Sequence, residues 1–266
     1  MMELKDIGIV VLSHGRTDKL EKSLQSYEKH GLTDMVGDNF IFFNEISNDD
    51  INLIGNYDKF EWGGHQQNLG IGWGIVKAIT ESNSEYILFL ENDFELVSNK
   101  ENIYKQLCLG LRNIKKGNVD IIKYRKLSDY VTTSNEVKRW VSEVDSFGNQ
   151  TVNGSAGREG CDPKNWWVGF AAEENFGHEN TDICKYVDKD DEEILWSMST
   201  KYFNWSNNPF LCRKDWFLEI ARSRDFDVME KISNSRSPDF EEQMNEWWQE
   251  QPYFGGILTG IFVHQQ

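Results

Sequence analysis

Short, wholly apolar runs alternate with amphipathic stretches through the first half of the chain. Ile7–Leu12 (IGIVVL) is apolar throughout and rich in β-branched residues, which predicts a strand buried on both faces. Thr17–Lys29 carries Leu20, Leu24 and Tyr27 at i, i+4 and i+7, which predicts a helix, and Asp18 with Glu21 resembles a capping box. Asn39–Phe43 (NFIFF) predicts a second strand. Leu69, Trp73, Val76 and Ile79 run a helical stripe through Gly72–Glu81, and Tyr86–Leu90 (YILFL) predicts a third buried strand. A helix over Asn102–Lys115 and a strand over Val119–Tyr124 complete the alternation. Strands and helices in this order predict an α/β fold, with a mainly parallel, Rossmann-like sheet and helices on both faces.

The second half is less regular. Val144–Gly160 is rich in Gly, Ser and Asn and reads as a loop or insertion. A helix is expected over about Arg213–Arg224. Ser237 then reads as an N-cap and Pro238 as the first helical residue, with Phe240, Met244 and Trp247 as the apolar stripe. The apolar run Gly256–Val263 ends in His264 and reads as docked. With four prolines and no low-complexity tract, nothing marks a linker, so residues 1–266 are expected to form one domain. Its nucleotide-side half would be residues 1–125 and its acceptor-side half residues 126–266.

In a parallel sheet, ligands bind beyond the carboxyl ends of the strands. Three polar clusters fall at such ends: Ser13-His14-Gly15-Arg16, Asn44-Glu45 and Glu91-Asn92-Asp93. The last is the sharpest, two carboxylates flanking an amide directly after a wholly apolar strand. Alternate side chains at a strand end can point the same way, and like charges so close repel unless a cation lies between them. The turn is therefore either a solvated acidic loop or a seat for a hard divalent ion such as Mg²⁺ or Mn²⁺.

Composition narrows the partners. The 28 Lys and Arg against 44 Asp and Glu leave a formal charge of −16, which argues against general nucleic-acid binding. Hydrophobic residues make up 39% and aromatic residues 13%, enough for a substantial core. The four cysteines have no metal-binding spacing and read as buried thiols in a reducing compartment. The opening residues lack the basic and apolar regions of a signal peptide, and no run approaches the ~20 apolar residues of a membrane span. A cytoplasmic protein without a transmembrane segment is the expectation.

Two stretches, IGIVVLSHGRTDKLEKSLQSYE and NLGIGWGIVKAITESNSEYILFLENDFEL, resemble the GT-A glycosyltransferases, glycosyltransferase family 2 in particular. The resemblance covers about residues 5–97 and resumes weakly near the C-terminus. It implies a nucleoside-diphosphate sugar donor bound through Mn²⁺ or Mg²⁺, and transfer of the sugar to a glycan or glycoside, with inversion. By the same match, Ser13, His14 and Arg16 would line the nucleotide pocket. Asn44 and Glu45 stand where an acidic pair contacts the base, and Asn68 and Gly70 match an Asn-x-Gly stretch. Glu91 takes the place near the ribose, followed by Asn92. Asp93 takes the metal-binding place, and His264 the place of a C-terminal His that completes the metal shell.

The catalytic base is expected among Asp239, Glu241 and Glu242, with Glu242 first and Glu241 second. The same charges would also favour a helix N-terminus without any catalytic role. By the same resemblance, Asn207 and Asn208 would lie in the family's loop near donor sugar and acceptor, with Trp205 and Trp247 as aromatic candidates for a sugar face. A sugar-nucleotide nucleotidyltransferase would want a glycine-rich basic loop after the first strand, where SHGRTDK has one Gly. A glycan-binding protein on a decayed transferase scaffold would keep the aromatics and lose the metal or base residues. A glycosidase would not need the strand-end crevice.

Overall fold

The structure is a computed structural model that describes residues 4–126, 143–144, 150–151, 184–201, 205–223, 244 and 247–265. The first strand, β1 (Ile7–Ser13), is buried at every position. Its side chains alternate between two cores. Ile7, Ile9 and Val11 face one cluster, while Val10 and Leu12 face the other. A wholly apolar run thus becomes a central strand covered on both faces, because successive side chains point to opposite sides.

The first core is closed by helices α1 (Thr17–Lys29) and α5 (Lys100–Lys115), through Leu20, Leu24, Ile103 and Leu107 among others. The second is closed by α4 (Ile71–Glu81) and α6 (Lys214–Ser223), through Ile75, Ile79, Phe217 and Ile220. Two short helices, α2 (Leu32–Met35) and α3 (Asn48–Ile54), sit in the connections.

The remaining strands are β2 (Asp38–Asn44), β3 (Glu61–His65), β4 (Tyr86–Glu91), β5 (Phe94–Leu96), β6 (Ile121–Arg125), β9 (Lys185–Asp190), β10 (Glu193–Ser199), β11 (Phe210–Arg213) and β12 (Phe254–His264), with a separate two-stranded pair, β7 (Glu143–Val144) and β8 (Gln150–Thr151). The main sheet runs β3-β2-β1-β4-β11-β6-β12-β10-β9, with β5 paired to β12. β1 pairs in parallel with β2 on one side and with β4 on the other. The chain order therefore reverses at β1, and the carboxyl ends of β1 and β4 form the topological switch point, the place where ligands bind in such sheets.

The sheet is mixed. β11 enters antiparallel between β4 and β6, and β10 and β5 run antiparallel to β12. β12 decides the site. Its first residues pair in parallel with β6, the register shifts between Ile257 and Phe262, and its end pairs with β5, placing His264 opposite Phe94. Gly260 lies in that irregularity at φ +78°, and a Cβ there would stand 2.8 Å from the Arg125 backbone. Only glycine fits such a left-handed, crowded position at little cost.

The predicted strands and helices that fall on described residues are present with boundaries within two residues, whereas the stretch expected as a loop holds β8 and the helix expected from Ser237 lies largely outside the described residues. The expected capping box of α1 does not form. Arg16, in the left-handed region, occupies the N-cap and no side chain caps the helix. The box lies instead at α3, where Ser47 and Asp50 bond each other's backbone N–H. β3 and the β9–β10 pair carried no apolar run strong enough to predict. β3 is an edge strand with Glu61, Trp62, Gly64 and His65 exposed, and β9 is largely exposed or half-buried. Cys108 and Cys212 are buried free thiols, Cys184 is buried, and Cys161 lies outside the described residues. Among the described residues, no helix is long and apolar enough to cross a membrane.

The joint between early and late strands is aromatic. Phe89 of β4 stacks on Phe210 of β11 at 5.0 Å, and both are fully buried. Phe89→Ala should cost about 3–5 kcal/mol in urea unfolding, since the cavity sits where two distant segments interlock. A loss under about 1 kcal/mol would show that the joint is not tightly packed.

Candidate nucleotide and metal site

The β1–α1 turn passes through two successive left-handed residues, Gly15 at φ +58° and Arg16 at φ +52°. Glycine tolerates this, whereas an arginine there costs roughly 1–2 kcal/mol. The strain is held by Asn92, fully buried after β4. Its Nδ2 donates to the Gly15 carbonyl at 2.9 Å and to Ser13 Oγ at 3.3 Å. Its Oδ1 accepts from Arg16 Nη2 at 3.2 Å. Asn92 therefore shapes the turn, and its amide is occupied by protein.

The turn delivers Arg16 to Asp93. Arg16 Nη1 donates to Asp93 Oδ2 at 2.7 Å, and His264 Nε2 lies 3.0 Å from the same oxygen. The Asp93 side chain is 3% exposed, against 52% for Arg16 and 38% for His264. The carboxylate is thus sunk in the protein while both of its partners reach solvent. Its other oxygen, Oδ1, is buried and has no hydrogen-bond partner among the described residues. Burial pushes the Asp93 carboxyl up, but the hydrogen bond from His264 and the charges of His264, Arg16 and Lys19 outweigh it and hold the group below the ordinary carboxylate range.

A second corner lies at the end of β2. Asn44 is buried, accepting from Leu69 N at 2.8 Å and donating to Asn68 Oδ1 and the Gly70 carbonyl, both at 3.1 Å. Asn68 Oδ1 also accepts from Gly70 N at 2.8 Å. Asn44 and Asn68 thus fasten the Asn-x-Gly stretch to the sheet, and Gly70, at φ +77°, opens α4. Exposed Glu45 lies 3.1 Å from His14 Nε2, and Asn68 Nδ2 lies 3.1 Å from the same nitrogen. One imidazole nitrogen either donates to Glu45 or accepts from Asn68, so this corner has two alternative hydrogen-bond states.

The other expected residues are placed as follows. Glu91 ends β4, half-buried, opposite Leu12 of β1. Among the described residues, no three His, Cys, Asp or Glu side chains gather as a metal set, so Glu91 does not join Asp93 and His264 in one. Trp205 is corrected to a core residue. It is fully buried against Phe210, Phe217 and Trp248, at ring distances of 5.2–6.0 Å, and offers no open face to a sugar. Asn207 and Asn208 are also buried. Asn207 Oδ1 accepts from Trp205 Nε1 at 3.4 Å, and Asn208 Oδ1 accepts from Arg125 Nη1 at 2.8 Å. Trp247 is half-buried beside Trp248 and Tyr253. Asp239, Glu241 and Glu242 lie outside the described residues.

Sequence reasoning missed the cations of β6. Lys123 is fully buried, donates from Nζ to the Ser206 carbonyl, and lies over the Trp205 and Phe210 rings at 5.4 and 5.1 Å. Lys123 and Arg125 point the same way from one strand and hold consecutive parts of the 205–208 loop. The polar Lys–Tyr–Arg at the end of an apolar strand is the signal that marks them.

The depressed Asp93 carboxyl has a pH consequence. The native state holds its proton more weakly than the unfolded chain, so its contribution is present above the ordinary Asp range, near pH 4. It is lost as pH falls through the lower native value. In metal-free buffer, the stability gap between wild type and Asp93→Asn should be widest near neutrality and close as pH drops below about 4. A gap that does not change with pH would contradict the charged pairing.

No protein family matches the sequence, and no curated protein matches it. Among solved structures, the chain is similar to S. aureus TarS 1–349, with 10% identity and a TM-score of 0.51 over 97% of this chain and 60% of that one. It is also similar to S. aureus TarS 1–349 in complex with UDP, with 13% identity and a TM-score of 0.50 over 98% of this chain and 60% of that one. The chain thus spans about 60% of those two TarS chains, and 21% of a further S. aureus TarS crystal structure. Identities at this level speak to the fold alone, and the fold is the α/β, GT-A-like architecture that the sequence resembles.

Proposed function

We propose that this protein is a metal-dependent glycosyltransferase, which moves a sugar from a nucleoside-diphosphate donor to a hydroxyl of a glycan or glycoside, with inversion. The observation that carries this reading is the Asp93 carboxylate. It is buried at the switch point of the sheet, shared on one oxygen by Arg16 and His264, with its other oxygen unpartnered among the described residues. The similar TarS structure solved with UDP supports a uridine nucleotide as the first donor to test.

The donor set fits a divalent ion. A carboxylate oxygen without a partner and an imidazole nitrogen suit Mn²⁺ or Mg²⁺, and two protein ligands leave positions for diphosphate oxygens and water. When bound, such an ion supplies Lewis-acid stabilisation of the leaving diphosphate. Arg16 is half-exposed, and its planar fork suits phosphate as well as carboxylate, so it can exchange Asp93 Oδ2 for a diphosphate oxygen. Asn92 and Ser13 hold the turn that aims it. The base and ribose would take the corner of His14, Glu45 and Asn68, with Glu91 on the ribose side. Asn44 keeps that corner in place.

On the acceptor side, Glu242 is the first candidate base, then Glu241 and Asp239. The base takes the proton of the acceptor hydroxyl as that oxygen attacks the anomeric carbon. The bond from that carbon to the diphosphate oxygen breaks in the same displacement, and the electron pair leaves with the diphosphate. Trp247, half-buried beside Trp248 and Tyr253, remains the aromatic candidate for stacking on a sugar face.

A thermal-shift screen of nucleoside diphosphates with and without Mn²⁺ tests this reading. A ligand at 100 times its Kd stabilises the native state by about 2.7 kcal/mol. UDP with Mn²⁺ should raise Tm, and EDTA should remove most of the rise. No shift with any nucleoside diphosphate would contradict the proposal and favour a glycan-binding protein without catalysis.

A further inference from the structure

Asp93 and His264 are far apart in sequence, and their alignment depends on one face of α1. Ser23, Ser26 and Tyr27 lie on that face and are buried. Ser23 Oγ donates to the Asn92 carbonyl at 3.1 Å, Tyr27 Oη donates to the Phe94 carbonyl at 2.6 Å, and Ser26 Oγ accepts from Leu96 N at 2.9 Å. The backbone on both sides of Asp93 is therefore fastened to α1.

The residue after His264 is fastened to the same face. Gln265 Nε2 donates to Ser23 Oγ at 2.8 Å and to the Lys19 carbonyl at 3.0 Å. Gln265 N donates to the carbonyl of Asp93 itself at 2.8 Å, and Lys19 Nζ returns a bond to the Gln265 carbonyl at 3.1 Å. Gln265 is 9% exposed and Ser23 is fully buried. One serine hydroxyl thus bridges the turn that carries Asp93 and the segment that carries His264. The His264 ring also rests edge-on against Phe94 at 5.4 Å, so its remaining freedom is set by the backbone that Gln265 pins.

We infer that Gln265 is a positioning residue, which docks the end of β12 on α1 so that His264 and Asp93 present one preformed pair to the divalent ion. This rests on the metal-dependent reading above. Groups that orient metal ligands without touching the metal commonly contribute 10–100-fold to metal affinity. The hydrogen bonds of Gln265 run to Ser23, Lys19 and the Asp93 carbonyl, so its effect would pass through the placement of His264 beside Asp93.

The test is Mn²⁺ affinity at saturating UDP, followed by electron paramagnetic resonance of free Mn²⁺. Gln265→Met keeps the volume and removes the side-chain donor. It should weaken Mn²⁺ by about tenfold, with UDP affinity in EDTA unchanged. His264→Ala should weaken Mn²⁺ at least as much, and His264→Ala/Gln265→Met no further than His264→Ala alone. Ser23→Ala, which removes the hydroxyl that Gln265 reaches, is read in parallel and carries the test if Gln265→Met does not fold. Unchanged Mn²⁺ affinity in the folded variant, or losses that multiply in the double variant, would overturn the inference and leave Gln265 a structural contact. Wild-type protein that binds neither UDP nor Mn²⁺ would instead overturn the proposed function, and this inference with it.

Discussion

A carboxylate sunk beneath the surface, in the turn at the end of a central strand, is the constraint on which the architecture turns. An unpaired charge at such a depth costs several kcal/mol, so Asp93 requires cations within hydrogen-bond reach. Arg16 and His264 meet that need from opposite ends of the chain. The left-handed Gly15–Arg16 turn, the Asn92 amide that holds it and the register shift in β12 all serve that convergence. Both partners take Oδ2. Neutralisation is thus supplied from the solvent side, by groups that are themselves partly exposed.

The same demand accounts for the mixed sheet. A purely sequential parallel sheet would end with its late strands far from β1. Here β11 slots between β4 and β6, and β12 pairs first with β6 and then with β5. The late segments are sewn into the early ones, and the aromatic stack of Phe89, Phe210, Trp205 and Trp248 fills the seam. Buried Lys123 holds the loop over that seam. The carboxyl ends of β1 and β4 and the 205–208 loop are therefore parts of one packed body, and a change in one reaches the other through a few rigid contacts.

Local pattern made the early strands and helices legible. β1 and β4 are unbroken apolar runs, and α1, α4 and α5 carry clean stripes, so their positions followed from periodicity alone. The strand-end clusters followed from topology. What was not legible involves partners distant in sequence. Asp18 and Glu21 satisfy the spacing of a capping box, yet Arg16 takes the cap because its guanidinium is needed at Asp93, which no window around Arg16 contains. Asn44 and Asn92 look like ligand amides by position, but their hydrogen bonds are taken up by the turns they support. Trp205 sits beside polar residues in sequence and in the core in space. Gln265 has no pattern of its own, and only the fold brings it against Ser23. His264 was placed beside Asp93 by family resemblance, and the β12–β5 register supplies the physical reason.

The chemistry that follows is economical. One oxygen of Asp93 is occupied by the protein and the other has no partner among the described residues, while the arginine on the first oxygen is equally suited to phosphate. Under the proposed function, a cation entering with a diphosphate would give Oδ1 a partner and release Arg16 to a phosphate oxygen. The most direct test is the position of Mn²⁺ in crystals grown with UDP, located by anomalous scattering. The account predicts a single Mn²⁺ peak bonded to Asp93 and His264, with the diphosphate on its open side and Arg16 turned from Asp93 to a phosphate oxygen. UDP bound without a metal, or Mn²⁺ held by residues other than Asp93 and His264, would contradict it.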